Sequence, residues 1–345
     1  MKDKLIKLDK IGSVLKNISL PNEVFVSPKI LGKEGEVIVV EAIAEQKIYG
    51  NIELIDGRLS KIFAGDIIAG VLGQRKALEG IVGEIPKKIR PGDVLHMLNL
   101  GGVIGKAVSW NTDFIASPIP VKVIGVILHE NKKVSINNFS KNEKIKLNKT
   151  SPIIAVIGTS MGTGKTTMAT EIIHALTKKK YKVVAAKVTG VATQRDVLGM
   201  KDAGAKKILS FLDIGLASTI NHKAQVVAGT KKIIHALTIE NPDYIVIEFG
   251  DGIVGWYGVS NLLDESEISK NISFIVGCAR DLTGAVGMQM VLKDKGLSID
   301  FFSGPVANNS AGIDYIEEFL KIPTSDMRVD MHKFFYVLKK KGKLL

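Results

Sequence analysis

The segment Gly158-Thr-Ser-Met-Gly162-Thr-Gly164-Lys165-Thr166 has the residue types and spacing to hold phosphate. Its glycines let backbone N–H groups crowd around a β-phosphate. Lys165 would reach the β/γ oxygens, and the Thr166 hydroxyl would hold Mg²⁺. An apolar run, Ile153–Ile157, precedes the loop and reads as a strand. An amphipathic stretch, Thr167 to Lys179, follows and reads as a helix. The N-terminus of that helix would bring its positive dipole end to the same place. The common form of the pattern wants glycine where Thr159 stands, and here the glycine sits one residue earlier, at Gly158. The expected nucleotide contacts are Gly158, Thr159, Ser160, Met161, Gly162, Thr163, Gly164, Lys165, Thr166 and Thr167.

Further chemistry follows later strand-like runs. Lys187-Val-Thr-Gly190-Val-Ala-Thr193-Gln-Arg195-Asp196 closes a buried run with a lysine, a second cation that could neutralise transferring oxygens or hold a substrate carboxylate. Glu248-Phe-Gly250-Asp251-Gly252 closes another with an acid, and an acid at such a strand end commonly coordinates Mg²⁺. Glu248 ranks first there and Asp251 second, with Asp196 and Asp202 as further metal or water ligands. The expected catalytic set is Lys165, Lys187 and Glu248; the expected metal set is Thr166, Glu248 and Asp196. Asn308 and Asn309 follow the last run, where an amide could read a base edge or simply turn the chain.

These residues need a scaffold that brings strand ends together. From Ser151 onward, apolar runs at Ile153–Ile157, Lys182–Lys187, Tyr244–Phe249, Phe274–Cys278 and Phe301–Val306 alternate with helical patterns at Thr166–Lys179, Gln225–Glu240, Gly284–Lys295 and Ile313–Leu320. Continuous apolar strands alternating with helices predict a doubly wound parallel sheet, whose ligands bind beyond the carboxyl ends of the strands. Residues 22–136 read differently. Short runs at Glu36–Ala44, Lys47–Leu54, Ile67–Leu72, Gly80–Ile85, Val94–Leu98 and Val121–Leu128 are punctuated by turn signals, with one helical stretch around Gly70 to Glu79. This pattern predicts a small barrel or sandwich. The fold class is therefore α/β: a C-terminal P-loop NTPase domain preceded by a smaller β-rich domain. The expected division is residues 1–135, a polar linker at 136–150, and 151–345.

Composition narrows the class. The 345 residues carry a net charge of +12, mostly a lysine excess, without the aromatic-plus-basic pattern of a nucleic-acid binder, so nucleic acid is not an expected partner. The single cysteine, Cys278, excludes a disulfide framework and suits a reducing cytoplasm. No apolar run is long enough to span a bilayer. The six histidines are scattered singly and do not suggest a zinc site. In the N-terminal half, Gly73-Gln-Arg75-Lys76 and His96 to Gly102 are the places to look for substrate contacts.

The C-terminal half resembles dethiobiotin synthetase and its wider relatives, the cobyrinate synthetase type of P-loop enzymes. The loop Gly158–Thr166 is similar to that family's Gly-Thr-Asp-Thr-Gly-Val-Gly-Lys-Thr, with Ser160 and Met161 in place of Asp and Thr. Lys187-Val-Thr-Gly190 resembles the end of its second strand, with Val188 in place of Pro. Glu248-Phe-Gly250-Asp-Gly252 resembles its Glu-Gly-Ala-Gly-Gly, and the run to Asn308 resembles the layout leading to its base-recognising Asn. The resemblance covers roughly residues 152–322. It implies an ATP- and Mg²⁺-dependent ligase that phosphorylates a carboxylate or carbamate of a small metabolite, with Asn308 at the base and a homodimer as the assembly. Two other readings stand beside it. One is a nucleotide switch or metallochaperone-like ATPase or GTPase whose N-terminal domain binds a protein, which an exposed apolar patch on that domain would favour. The other is an N-acyltransferase that uses the loop for acyl-CoA phosphates.

Overall fold

The computed structural model describes residues 3–46, 50–139 and 145–343. The first residues of the strand expected at Lys47–Leu54, and the middle of the expected linker, lie outside them. The chain forms two compact units. Among the described residues, the first holds everything before residue 140 together with Val191–Arg195 and Phe211–Ile220, and the second holds the rest.

Five strands of the first unit close on themselves: β1 (Val37–Ala42), β2 (Ile67–Leu72), β3 (Val94–Met97), β4 (Val103–Trp110) and β5 (Pro120–His129). β5 pairs with β1, β1 with β2, β2 with β4, β4 with β3, and β3 with β5. The ring is a barrel, which settles the choice between barrel and sandwich. Alternate residues point inward, as the two-residue period of a strand requires. Ile38, Val40 and Ala42 of β1 meet Ile68 and Leu72 of β2, Ile104 of β4, Leu95 and Met97 of β3, and Val121 and Val123 of β5 in one apolar core. Shorter strands at Lys4–Lys7 and Glu23–Ser27 extend the sheet beyond β5, and Ile81–Glu84 and Arg75–Lys76 extend it beyond β4.

The helix expected around Gly70 to Glu79 is instead the end of β2 and the short strand Arg75–Lys76. β2 is rich in β-branched residues, and its backbone groups pair on both sides, with β1 and with β4. Gly70 permits that closure, since a Cβ there would lie 2.4 Å from the carbonyl oxygen of Gly102. β4 itself had no sequence counterpart. Gly105 and Lys106 interrupt it and most of its outer half is exposed, so no continuous apolar run announced it.

Two segments reach this unit from the second half of the chain. The buried Glu53 carboxylate accepts from the backbone N–H of Gln194 and of Arg195, each at 2.7 Å, and from the Ser13 hydroxyl. Asn99 donates to the Ala192 carbonyl at 2.6 Å, and Lys16 pairs with Asp213 at 2.9 Å.

The second unit is a six-stranded parallel sheet. Its strands are β6 (Ile153–Gly158), β7 (Val183–Thr189), β8 (Ile208–Ser210), β9 (Tyr244–Phe249), β10 (Ile272–Cys278) and β11 (Phe301–Ser303). They lie side by side in the order β8-β7-β9-β6-β10-β11. β6 and β9 are buried along their whole length, as strands covered on both faces must be. The α-helices longer than one turn are α1 (Lys165–Lys178), α2 (Arg195–Asp202), α3 (Lys223–Thr238), α4 (Val259–Asp264), α5 (Leu282–Asp294), α6 (Ser310–Tyr315) and α7 (His332–Lys340), and a single turn at Ser266–Ser269 follows α4. α1 buries Met168, Ala169, Ile172, Ile173 and Leu176, one stripe at helical spacing. α7 brings Phe334 edge-on to Phe274 and Phe301, with ring centroids 5.6 and 5.8 Å away, and so closes one face of the sheet. Among the described residues, no helix is long and apolar enough to cross a membrane.

Candidate nucleotide-binding site

The phosphate loop joins β6 to α1. Gly162 and Gly164 take the left-handed conformation, with φ of 70° and 81°, which turns successive N–H groups toward one point. The displaced glycine has a steric cause. A Cβ at Gly158 would lie 2.4 Å from Thr163 Oγ1 and 2.8 Å from Lys165 Cδ, so this position has room only for hydrogen. The neighbouring backbone also holds the loop. The Thr159 N–H donates to the Cys278 carbonyl at 3.0 Å, and the Ile253 N–H donates to the Gly158 carbonyl at 2.8 Å.

Lys165 is buried and folds back on its own loop. Its Nζ donates to the Ser160 carbonyl at 2.6 Å and lies 3.4 Å from Thr163 Oγ1. Burial pushes its pKa below the ordinary lysine value, against the nearby Glu248 charge. An ammonium held by two neutral oxygens is poised to exchange them for phosphate oxygens. Cys278, at the end of β10, is buried behind the loop, and burial pushes its thiol up to about 12, so it is inert.

Parallel register brings the other strand ends to the same edge. Lys187 of β7 sits opposite Glu248 of β9, and Glu248 opposite Val156 of β6. The Thr166 hydroxyl donates to Glu248 Oε1 at 3.0 Å. Lys187 Nζ lies 3.2 Å from that same oxygen and forms a second, shorter ion pair with Asp196. Burial works to lower the Lys187 pKa, but Glu248 and then Asp196 outweigh it and hold the ammonium above its ordinary value. Thr166, Lys187, Asp196 and Glu248 thus form one cluster beside Lys165.

The remaining expected residues fall as follows. Ser160 donates its hydroxyl to the Met161 carbonyl at 3.0 Å, and Thr167 is exposed in the first turn of α1. Asp251 lies in the loop after β9 with a left-handed φ of 69°. That loop rests on the phosphate loop, since a Cβ at Gly252 would lie 2.4 Å from the Thr159 carbonyl oxygen. Asp202 ends α2, away from the cluster's hydrogen bonds. Asn309 caps α6 by accepting from the Gly312 N–H at 3.3 Å, so it is a turn residue. Asn308 is exposed, and its Oδ1 accepts from Arg328 Nη2 at 2.8 Å. Arg328 and its partner Asp326 had no sequence signal, because they lie in an irregular segment with no periodicity.

The two stretches singled out in the barrel serve its own structure. Arg75 is buried and donates to the Leu98 carbonyl, and His96 Nδ1 accepts from the Ala107 N–H at 3.2 Å.

A Mg²⁺ ion fits the donor set. Thr166 and Glu248 present a hydroxyl and a carboxylate in contact, and Glu248 Oε2 is buried with no hydrogen-bond partner among the described residues. A hard cation takes oxygen ligands of this kind.

A glycine loop between a parallel strand and a helix, with lysine, threonine and a strand-end acid converging on it, defines a P-loop NTPase. The model of the CobQ/CobB/MinD/ParA nucleotide binding domain family matches residues 154–328, half of the chain, and the chain belongs to that family. None of the curated proteins compared matches its sequence. Among solved structures it is similar to chloroplast FtsY from Physcomitrella patens, with 16% identity over 55% of this chain and 63% of that one and a TM-score of 0.39. It is also similar to a DUF1611 family protein from Anabaena variabilis, with 12% identity, coverage of 58% and 63%, and a TM-score of 0.40. A third is a nucleotide-binding protein in complex with ADP from Archaeoglobus fulgidus, with 11% identity, coverage of 58% and 88%, and a TM-score of 0.38. The chain spans less than two thirds of the length of the first two.

Proposed function

We propose that this protein is a Mg²⁺-dependent nucleoside triphosphatase that works as a nucleotide-controlled switch. The observation that carries the reading is the engagement of Lys187. A carboxylate-activating ligase needs a cation free to bridge phosphate and substrate. Here that cation is already held between Glu248 and Asp196. Asp196 lies in the first turn of α2, so the same ion pair ties that helix to the phosphate site.

In this reading, a triphosphate draws Lys165 from the Ser160 carbonyl to its β- and γ-oxygens. The loop N–H groups orient the phosphates, and the N-terminus of α1 adds its dipole. Mg²⁺, held by Thr166 and Glu248, would neutralise charge between the β- and γ-phosphates. Glu248 is then shared between the nucleotide site and Lys187. The grip of Lys187 on Asp196, and with it the position of α2, depends on the nucleotide state. A second feature supports a switch with a protein partner. Around the pairing of β4 with Ile81–Glu84, where Trp110 sits opposite Ile81 and Asn111 donates to the Leu78 carbonyl, Leu78, Val108, Trp110 and Phe114 are all exposed, and exposed apolar surface can mark an interaction site.

The test is phosphate release from Mg-ATP and Mg-GTP by the full chain, with and without a panel of carboxylic and amino acids. Hydrogen exchange across residues 187–202 is followed in the nucleotide-free, diphosphate and triphosphate states. The switch reading expects hydrolysis without any co-substrate and exchange that differs between the two nucleotide states. Turnover that appears only with an added carboxylic acid restores the ligase reading.

A further inference from the structure

We infer that the end of the second unit opposite the phosphate loop is a binding surface for single-stranded nucleic acid, held by lysines at its phosphates and by Tyr336 at a base. This surface lies outside the nucleotide site and does not depend on the reading of that site.

Contacts at the amino ends of the strands define the position. Lys179, the residue that ends α1, sets its Nζ over the Phe335 ring of α7, 4.7 Å from the centroid. Tyr181 meets Tyr244, the first residue of β9, edge to face with centroids 5.2 Å apart. The Tyr244 hydroxyl donates to the Lys343 carbonyl at 2.8 Å. Two lysine-rich segments, 178–182 and 335–343, are thereby held together.

Their charge is largely uncancelled. Lys178, Lys179 and Lys180 of the first segment and Lys339, Lys340 and Lys341 of the second are all exposed. Lys341 pairs with Asp300, and among the described residues the other five form no ion pair. A helix C-terminus carries the equivalent of about half a negative charge. The ends of α1 and α7 together therefore offset about one of these six lysine charges.

The aromatic that faces water decides the ligand. Within α7, Phe334 is buried against the sheet, Phe335 is partly buried beside Lys179, and Tyr336 is 66% exposed. Tyr336, Lys339 and Lys340 stand at i, i+3 and i+4, so the ring and both ammonium groups share one face of the helix. An exposed ring among uncancelled lysines supplies the two terms of single-strand binding, phosphate charge and base stacking. A duplex hides its base faces from such a ring. A bilayer would need α7 to turn its apolar side outward, and that side, Phe334, Val337 and Leu338, is buried in the core of the sheet. Composition did not point to nucleic acid because the two lysine segments are far apart in the chain, and nothing local says which of three successive aromatics lies outside.

The experiment is fluorescence anisotropy of the full chain with a labelled single strand of about 12 nucleotides and mixed sequence, as RNA and as DNA. Salt is varied between about 50 and 200 mM. The expected result is a micromolar dissociation constant at the lower salt, with affinity falling on a log–log plot by a slope of about −0.7 for each phosphate engaged. Lys339→Glu/Lys340→Glu and Lys178→Glu/Lys179→Glu should each weaken binding about tenfold or more and make the slope shallower. Tyr336→Ala should weaken it roughly fivefold or more at every salt concentration and leave the slope unchanged, since stacking releases no counterions. Lys87→Glu/Lys88→Glu makes the same charge change at exposed positions of the first unit and should alter affinity little. Thermal melts check that each variant is folded. Absence of saturable binding at about 50 mM salt overturns the inference. Equal weakening by Lys87→Glu/Lys88→Glu also overturns it, by assigning the binding to the net charge of +12 and not to this surface. Unchanged affinity of Tyr336→Ala overturns the base contact. Displacement of the strand by polyglutamate or by phosphatidylserine vesicles as readily as by unlabelled strand overturns the choice of nucleic acid.

Discussion

The Thr166 hydroxyl donates to Glu248 Oε1 at 3.0 Å, joining the end of the phosphate loop to a strand end 82 residues further along the chain. Lys187 reaches the same oxygen from the neighbouring strand. Three residues from three separate elements thus meet at one carboxylate, and the behaviour of the site turns on its charge.

Lys165→Ala should leave the fold intact while reducing triphosphate affinity by roughly 10²–10³, the scale of losing a positioned cationic clamp. The wild-type ammonium is buried against neutral oxygens with its pKa pushed down, so it costs stability in the nucleotide-free protein. The melting temperature of the variant should therefore not fall. Calorimetric affinity and a thermal melt on the same sample check both halves. Unchanged affinity removes the cradle reading.

Lys187→Met should destabilise the protein by about 3–5 kcal/mol, because it leaves the buried Glu248 charge without its partner. Adding Glu248→Gln to that variant should recover much of the loss, since the orphan charge goes as well. The ion pair also predicts an alkaline response. The folded pKa of Lys187 is raised, so its contribution is complete below the unfolded value of 10.5 and disappears as pH climbs through the folded value. The difference in urea midpoint between wild type and Lys187→Met should hold steady up to pH 10.5 and begin to narrow above it.

Glu53→Gln should cost about 1–3 kcal/mol. The carboxylate accepts from two backbone N–H groups and a hydroxyl, and an amide would turn a donor toward at least one of them. The result should be a lower urea midpoint, with enhanced hydrogen exchange at Gln194 and Arg195. A midpoint unchanged from wild type would show that the returning segment is held by other contacts.

His96 gives the barrel unit an acid sensitivity. Burial, and then the Lys106 charge, lower its folded pKa below 6.5, and its Nδ1 accepts a hydrogen bond only while unprotonated. The unfolded chain takes up the proton first, so this residue's stability contribution is present above about pH 6.5 and is lost as pH falls toward the folded pKa. His96→Asn should flatten the decline in thermal stability between pH 7 and pH 5. A decline as steep as wild type would place the acid sensitivity elsewhere.

Much of the second unit was legible from the chain because its signals are local. β6, β9 and β10 are continuous apolar runs, and α1 and α3 carry a helical stripe, so their positions agree with expectation to within a few residues. The short α2 and α4 were missed, having too few turns to show a period. In the barrel, β4 was hidden because half of it faces water. The stretch from Gly70 was misread as helix because its pairing with two neighbouring strands is not written in its own residues.

The sequence by itself determined the phosphate loop. Glycines at 162 and 164 admit left-handed backbone, glycine at 158 leaves room for Thr163 and Lys165, and the helix must start where Lys165 and Thr166 stand. These are consequences of neighbours in the chain, where backbone geometry acts over a few residues. Tertiary structure decided the partners of that loop. Strand register set Glu248 between Thr166 and Lys187, the closed barrel gave Glu53 its grip on Gln194 and Arg195, and the turn after β11 brought Asn308 to Arg328. Such pairs depend on which strands lie side by side and how segments far apart in sequence pack, and no local pattern of residue types encodes that.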